Sequence, residues 1–359
     1  MFRIAINGHT VASESLASAG YGVSSPTLTQ ELNKADKLTF VIGTENPRYA
    51  DLAPMSGTVT VSDGSYTVFV GRVVNTTKDF YNRKTVTCEG ELAYLNDAVL
   101  RPYAFDGTVA EYYAMLLTAY NSAATADRML TAGNVTVGGG RIIRENEDYT
   151  TVWSEMNELI NSIGGYLKLR HTTSGGQQVT YLDYLASSGV EDTQIIAFGR
   201  NLIDLSNYID GSELYTRIIP LGAADEDTGV KLTIKSVNDN KDYLADAAAE
   251  ALYGRIERVV EWEDVTVAAN LKTKAQAELA ANIARTQTIT ISAIDLHMID
   301  VNVSALKVGN MYRVVSIPHG LITQGTTNLF PLTKASVDIW NPANSRYTFG
   351  RTRPEISGG

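Results

Sequence analysis

Two alternating runs of β-branched residues around an Asp-Gly pair constrain this fold more than any other feature of the sequence. Residues 58–61 read Thr-Val-Thr-Val, Asp63 and Gly64 follow, and residues 66–74 continue the alternation. Alternation places every second side chain on one face of a strand, and an Asp-Gly pair suits a tight turn because both turn positions favour positive φ. The sequence therefore predicts an antiparallel β-hairpin over residues 58–74.

Further short runs of the same kind flank this hairpin. Residues 2–6 alternate between apolar and polar side chains, residues 38–42 read Leu-Thr-Phe-Val-Ile, and residues 84–90 form another short alternating run. Several short strands in close succession are typical of a small antiparallel barrel or sandwich. We therefore expect residues 1–100 to form a first β-barrel domain.

The hydrophobic period then changes from two residues to 3.6, which indicates helices. One apolar stripe lies within residues 109–120 and a second within residues 152–163. The second helix should begin at Asp148 or Thr150 as its N-cap and end at Gly164, because glycine adopts the left-handed conformation of a C-cap without strain.

A two-stranded ribbon should pack against these helices. Residues 166–169 and 179–182 form β-patterned runs on either side of a Ser-Gly-Gly turn at residues 174–176. Helices on a short antiparallel ribbon make a small α+β unit. We therefore expect residues 101–190 to be an α+β domain.

The remaining chain returns to strands and is interrupted by helices. The β-patterned runs of residues 191–235 and 286–350 predict a second β-barrel domain. Residues 236–285 carry two apolar helical stripes separated by a strand, which predicts an inserted helical or α+β domain. The polar residues 351–359 are expected to be a mobile tail. The chain as a whole is thus predicted to be a β-rich α+β protein.

A weak internal similarity links the two predicted barrels. Residues 64–68 place a glycine before Tyr-x-Val, with a loop and a strand at residues 84–89 after it. Residues 309–314 repeat this order with a strand at residues 335–340. Duplication of a β domain and chance similarity between hairpins both explain the pattern.

Charge and composition exclude several function classes. The 359 residues include 40 acidic and 30 basic side chains, which gives a formal net charge of −10. A surface without basic excess is a poor match for general attraction to duplex DNA. A single cysteine excludes an internal disulfide and a thiolate metal cluster. The N-terminus lacks the apolar core of a signal peptide and no run reaches 18 apolar residues, so we expect synthesis in a cytoplasm and no membrane span.

Side chains able to carry catalysis are scattered along the chain. The histidines lack the His-x-x-x-His spacing of a helical metal pair, so surface or turn positions are favoured for them. These histidines are His9, His171, His297 and His319. Cys88 lies within an alternating strand, where a core position is the favoured interpretation. Residues 138–141 read Gly-Gly-Gly-Arg and lack the Gly-Lys-Ser/Thr of a phosphate loop. Tyr112, Tyr113 and Tyr120 are expected to be core or interface residues.

The segment most similar to a metal loop is Asn238–Asp242, with Asp246 and Glu250 downstream. Alternating carboxylate and amide oxygens suit Ca²⁺, but Tyr243 occupies the position at which an EF-hand needs glycine. We therefore favour a helix start with Asp242 as its cap. The acidic residues 225–227 are expected to be a solvated loop. We predict no catalytic, cofactor-binding or metal-binding residue and no cofactor.

Four stretches within residues 214–300 carry a family resemblance. They are YTRIIPLG at 215–222, VKLTIKSVNDNKDYL at 230–244, GRIERVVEWEDVT at 254–266 and TISAIDL at 290–296. The pattern resembles the N-terminal region of phage minor structural proteins, the siphophage tail-associated lysin or prophage endopeptidase tail family. That family is similar to the baseplate hub protein of contractile tails. A looser resemblance extends over residues 66–185.

The resemblance implies a hub with two tube-type antiparallel β-barrel domains and smaller α+β or helical domains. It implies a homotrimer at the virion tail tip, whose six barrels form a pseudo-sixfold ring. The implied partners are a distal tail protein or tail tube protein, the tape measure protein and a spike or fibre protein. DNA would pass through the channel without specific binding, so we expect acidic groups to outnumber basic ones on the lumen.

Many members of the family carry a C-terminal peptidase, muramidase or receptor-binding part. This sequence ends at Gly359 with no room for such a part. We therefore expect a structural hub and no enzymatic activity. The alternatives are a tail-associated peptidoglycan hydrolase or endopeptidase and a host-surface adhesin.

Overall fold

The computed structural model describes residues 2–64, 66–138, 140–174, 177–187, 189–209, 211–225, 228–285, 287–298, 300, 302–319 and 329–350. The chain divides into two compact units. The first comprises Met1–Leu205 and Ile291–Phe349, and the second comprises Ser206–Thr290 and Gly350–Gly359. Strands dominate and helices pack on sheets, so the predicted β-rich α+β class is confirmed.

The strands and helices follow one another in three stretches. The first stretch contains β1 (Phe2–Ile6), β2 (His9–Ser13), β3 (Ser24–Glu31), β4 (Lys37–Ile42), β5 (Thr58–Asp63), β6 (Tyr66–Lys78), β7 (Lys84–Gly90) and β8 (Val99–Leu100). The second contains β9 (Tyr103–Thr108), α1 (Val109–Ala123), β10 (Leu130–Val135), β11 (Arg141–Asn146), β12 (Thr150–Thr151), α2 (Val152–Ile163), β13 (Tyr166–Ser174) and β14 (Gln177–Leu185). The third contains β15 (Ile196–Ala197), β16 (Leu202–Ile209), β17 (Arg217–Leu221), β18 (Leu244–Ala245), α3 (Ala247–Tyr253), β19 (Glu257–Glu261), α4 (Ala268–Arg285), β20 (Gln287–Ala293), β21 (Met311–Val315), β22 (Leu329–Asp338) and β23 (Arg346–Gly350).

A large curled sheet dominates the first unit. Its strand order is β16-β20-β23-β22-β3-β4-β7-β6-β5-β1-β2, with β21 paired to β22 and β15 to β21. The predicted hairpin over residues 58–74 is confirmed, because Val61 pairs with Phe69 and Gly64 has a φ of 57°. Apolar side chains on alternate positions of these strands form a buried core. Its members include Ile4, Leu38, Phe40, Val59, Val73 and Val86.

Strands from both predicted barrels are hydrogen-bonded into this one sheet. The link is the antiparallel pair β3–β22, in which Gln30 lies opposite Ala335. Closure into two separate tube barrels stays a prediction, as do the domain boundaries. Strand β17, which the sequence predicts for the second barrel, lies in another sheet, of order β18-β17-β19.

An α+β layer over residues 101–187 completes the first unit. Helices α1 and α2 share one apolar core with the sheet β10-β14-β13, and Tyr112, Tyr113 and Tyr120 are buried in it as predicted. Helix α1 begins with a capping box in which the Thr108 side chain accepts the Glu111 backbone N–H. The cap of α2 is Thr151, so the expected cap at Asp148 or Thr150 is wrong. The predicted hairpin is the pair β13–β14.

The second unit packs helix α4 on the sheet β18-β17-β19. Apolar side chains one turn apart on α4, including Ala275 and Leu279, cover Tyr215 and Ile218. Strands β17 and β19 are parallel and are joined through α3, as a parallel pair requires a crossover connection. Asp246 caps α3 by accepting the Ala249 backbone N–H, so the expected cap at Asp242 is wrong.

Candidate assembly surface

The longest strand, β6, extends beyond its neighbour β5. The β5–β6 ladder ends where Thr58 meets Arg72, whereas the β6–β7 ladder continues to the pair Lys78 and Lys84. Beyond Arg72, β6 therefore pairs with β7 and no longer with β5. We call the hairpin formed by residues 74–84 the aromatic hairpin. The turn at residues 79–83 carries Phe80 and Tyr81, whose side chains are 92% and 72% exposed.

A dense set of hydrogen bonds fixes this turn. The Asp79 carboxylate accepts the backbone N–H groups of Tyr81 and Arg83, both at 2.9 Å, and the Arg83 Nε at 2.7 Å. Asn82 has a φ of 59°, a conformation that Asn tolerates. The rings of Phe80 and Tyr81 are perpendicular, with centroids 5.3 Å apart. The two aromatic rings are thus presented on a preformed turn.

Residues 46–52 support the base of the aromatic hairpin. The Tyr49 hydroxyl donates to the Asn82 carbonyl at 2.7 Å. The buried Lys84 ammonium donates to the carbonyls of Tyr49 and Leu52 at 2.5 and 2.9 Å. Burial lowers the pKa of Lys84. In turn, the Asn46 amide donates to the Val11 carbonyl at 2.9 Å, which ties this loop to β2.

A buried arginine anchors β6 to β7 and to the following short helix. Arg72 is 5% exposed. Its Nε donates to Glu89 at 2.8 Å, and its two terminal nitrogens donate to the carboxylate of Asp97. The guanidinium also lies 4.9 Å from the ring centroid of Tyr94. Because β6 carries the aromatic hairpin, this cluster holds its base in place.

A second buried charge lies at the centre of the α+β layer. The Glu155 carboxylate, on α2, accepts hydrogen bonds from Tyr103 at 2.7 Å, Tyr112 at 2.8 Å, Asn146 at 2.6 Å and Thr150 at 2.9 Å. Burial alone would raise the pKa of Glu155, but these four donors outweigh it and hold the pKa below 4.5. One carboxylate thereby connects β9, α1, β11, β12 and α2.

Polar side chains join the large sheet to the α+β layer. Asn33 donates to the Gly165 carbonyl at 3.0 Å and accepts the Leu167 backbone N–H at 2.9 Å. His171 Nε2 lies 2.5 Å from a Glu91 carboxylate oxygen. Asp36 accepts from the Gln30 amide at 2.8 Å. Asp36, Glu91 and His171 therefore form an ionisable cluster at this junction.

The Asp36 carboxyl should make the stability of this junction depend on pH. Burial raises the pKa of Asp36 from 3.8 to about 6; the Gln30 hydrogen bond opposes this and Glu91 adds to it. The folded state therefore binds the Asp36 proton more tightly than the unfolded state does. The contribution of Asp36 to stability is present below pH 3.8 and is lost as the pH rises through about 6.

We expect Asp36→Asn to become more stable relative to the wild type as the pH rises from about 4 to 7. Urea unfolding midpoints at several pH values measure this difference. Asp148→Asn, which changes an exposed carboxyl in the same unit, is the matched control and should show no such trend. A pH-independent difference for Asp36→Asn would contradict the assignment.

The four histidines do not converge on one site among the described residues. His9 is exposed, His171 pairs with Glu91, and His297 Nδ1 lies 2.7 Å from the Val303 carbonyl oxygen. His319 lies in the short 3-10 turn Ile317–His319. Cys88 is fully buried in β7, and burial raises its pKa to about 12, so its interpretation as a core residue is confirmed.

The segment that resembled a calcium loop is a turn stabilised by its own amides. Asn238 donates to the carbonyls of Lys241 and Tyr243, and Asp239 and Asn240 have positive φ. In the acidic run, Asp225 accepts from the Thr228 backbone and hydroxyl; residues 226 and 227 lie outside the described residues.

Two kinds of feature are absent from the described part of the chain. Within it, no three His, Cys, Asp or Glu side chains are grouped so that they could hold a metal ion. None of the helices in the described segments combines the length and the apolar character that crossing a membrane requires.

Sequence reasoning missed the residues that matter most here. Arg72, Glu155 and Phe80 were assigned no role, because their partners lie on other strands or helices. A usable signal existed only for the turn, in which two adjacent aromatic residues interrupt the polar run from Asn75 to Arg83.

Comparison with known proteins gives one family match for the C-terminal part of the chain. Residues 190–358 match the family model described as prophage endopeptidase tail. This part of the chain, slightly under half of its length, is therefore similar to the prophage endopeptidase tail family. The family region covers β15 to β23, that is, the second unit together with the C-terminal strands of the large sheet. A sequence comparison with curated proteins gives no match.

Solved structures of tail proteins are similar to this chain over nearly its whole length. The 43 kDa tail protein of prophage MuSo2 from Shewanella oneidensis is 13% identical, with a TM-score of 0.68 over 98% of both chains. A prophage tail protein from Listeria monocytogenes is 13% identical, with a TM-score of 0.65 over 99% of this chain and 95% of that one. A tail protein from Neisseria meningitidis is 14% identical, with a TM-score of 0.64 over 98% and 96%. At these identities the likeness establishes the fold.

Proposed function

We propose that this chain is a structural component of a bacteriophage or prophage tail tip, synthesised in the host cytoplasm. Specifically, it acts as a homotrimeric baseplate hub. The hub joins the sixfold tail tube or distal tail protein to the threefold tip and surrounds the channel for the tape measure protein and DNA. A spike or fibre protein docks below it. The observation that carries this proposal is the fold similarity to a prophage tail protein over 98% of both chains.

The arrangement of charge and polar groups supports a role based on shape. Two of the buried charged groups, Arg72 and Glu155, have their hydrogen-bonding capacity taken up by protein partners. Such groups rigidify a fold and leave little capacity for a substrate. The net charge of −10 also suits a channel wall that releases DNA.

Light scattering after size exclusion tests the trimer directly. We expect a concentration-dependent species with three times the chain mass, because a threefold hub needs three identical subunits. Assembled tails should contain three copies per tip. A chain that stays monomeric at every concentration and occurs in another copy number in tails contradicts the proposal.

A peptidoglycan hydrolase is the second candidate, since the matching family carries the word endopeptidase in its description. Zymography on peptidoglycan separates the two functions. A structural hub leaves the peptidoglycan intact, whereas clearing that is lost on substitution of one Asp or Glu would establish the hydrolase instead.

A further inference from the structure

The aromatic hairpin exposes two large aromatic side chains that do not pack against the rest of the fold. Phe80 is the most exposed of the large apolar side chains in the described part of the chain, and Tyr81 beside it is 72% exposed. A single exposed apolar residue is ordinary. Two adjacent aromatic residues are different, because aromatic side chains supply much of the binding energy at protein interfaces.

The backbone of the turn that carries these rings is also fixed before any partner binds. Asp79 fixes the backbone at Tyr81 and Arg83, and Tyr49 holds the Asn82 carbonyl. Ordering a side chain or loop at an interface costs about 0.5–1.5 kcal/mol for each immobilised side chain. Because the backbone of the turn is already ordered, binding of a partner to Phe80 avoids part of this cost.

Strand geometry adds a second means of contact. Beyond Arg72, where the β5 ladder ends, residues 74–78 continue β6 as a strand paired to β7. These residues, Val-Asn-Thr-Thr-Lys, are half-buried or exposed. A strand segment at a sheet edge is a template for pairing with a strand of another chain.

Charge favours a second copy of this chain as the partner. Because Lys84 is buried, the exposed charges of the aromatic hairpin are Lys78 and Arg83 against the single carboxylate Asp79, whereas the whole chain has a net charge of −10. The remainder of another copy is therefore acidic and attracts the basic hairpin. A projecting turn that docks on a different surface of the next copy makes a head-to-tail contact, which can close into a ring of three.

We propose that the aromatic hairpin, residues 74–84, is a contact between copies of this chain, in which Phe80 and Tyr81 of one copy dock on a different surface of the next. This inference rests on the proposed trimeric hub. It names the surface that holds the trimer together, and it predicts a heterologous interface rather than a two-fold one.

Crosslinking from the tip tests the partner. Cys88 is buried and its pKa is raised to about 12, so Phe80→Cys in the full chain introduces the one readily labelled thiol. A benzophenone maleimide attached there and irradiated should yield a product of twice the chain mass. When isotopically heavy and light chains are mixed before irradiation, mass spectrometry should find crosslinked peptide pairs with one heavy and one light member. Such pairs show that the two ends of the crosslink lie in different copies. Capture of a distal tail protein, a lipid vesicle or DNA in place of a second copy would overturn the inference.

Removal of the rings tests their energetic role. Phe80→Ser combined with Tyr81→Ser should raise the dissociation constant of the trimer at least tenfold. At concentrations low enough for both proteins to be monomeric the Tm should be unchanged, because both side chains are exposed. The matched control is Tyr149→Ser, which removes an aromatic ring 71% exposed outside the hairpin and should leave the trimer intact. If the wild type is trimeric and the double variant trimerises equally well, the hairpin contact is wrong while the hub stands. A wild type that is never trimeric would contradict both the hairpin contact and the trimeric hub.

Discussion

Replacing Arg72 with methionine should destabilise the first unit by about 3 kcal/mol, in keeping with the loss of one partner from a buried ion pair. The methionine keeps much of the side-chain volume but leaves Glu89 and Asp97 without the donors that they now share. It also removes the cation over the Tyr94 ring. Urea unfolding midpoints measure the loss, and hydrogen exchange in peptides covering residues 84–97 locates it.

The same substitution at Arg141 is a matched control. Arg141 also donates two hydrogen bonds to one aspartate, Asp106, but its side chain is 71% exposed. Exposed ion pairs contribute roughly 0–1 kcal/mol because water solvates both charges and salt screens them. Arg141→Met should therefore cost less than about 1 kcal/mol. Equal costs at the two positions would show that burial of Arg72 does not set its contribution.

Replacing Glu155 with glutamine should lower the free energy of unfolding by about 2 kcal/mol. Hydrogen bonds to a charged group stabilise the fold more than those to a neutral group, and one buried donor would lose its acceptor. The amide nitrogen of glutamine cannot accept from Asn146, whose own amide now donates at 2.6 Å. Glu158→Gln is the control on the same helix, since Glu158 is exposed, and it should change stability by less than about 0.5 kcal/mol.

The pH dependence of the Glu155 variant provides an independent readout. The pKa of Glu155 is held below 4.5 in the folded chain, so the unfolded state binds its proton more tightly. Its stabilising contribution is present above pH 4.5 and is lost as the pH falls through the folded-state pKa. The difference between the wild type and Glu155→Gln should therefore shrink at acidic pH. A constant difference would mean that the charge of Glu155 is not the source of its effect.

The elements that were predicted well are those with local causes. Alternation and an Asp-Gly turn placed the hairpin of β5 and β6, and 3.6-residue stripes placed α1 and α2. Cap positions do not follow from these patterns, because several polar residues near a helix start can serve as the cap. Thr151 caps α2 in place of Asp148 or Thr150, and Asp246 caps α3 four residues after the expected Asp242.

Long-range pairing could not be read from these patterns. Gln30 and Ala335 lie opposite one another in β3 and β22 although about 300 residues separate them along the chain. Alternation of apolar and polar residues predicts that a strand has a buried face, but it does not predict which strand lies beside it. The parallel pairing of β17 with β19 was missed for the same reason.

Taken alone, the sequence determined the β-rich class, the helices, the tight hairpin and the family resemblance of residues 190–358, since each depends on residues close together in the chain or on a continuous motif. Only the tertiary structure decided that N- and C-terminal strands share one sheet, that Arg72 and Glu155 are buried with full sets of partners, and that Phe80 is left exposed. Burial and partnership are set by segments far apart in sequence, and their energies depend on the removal of water from specific contacts.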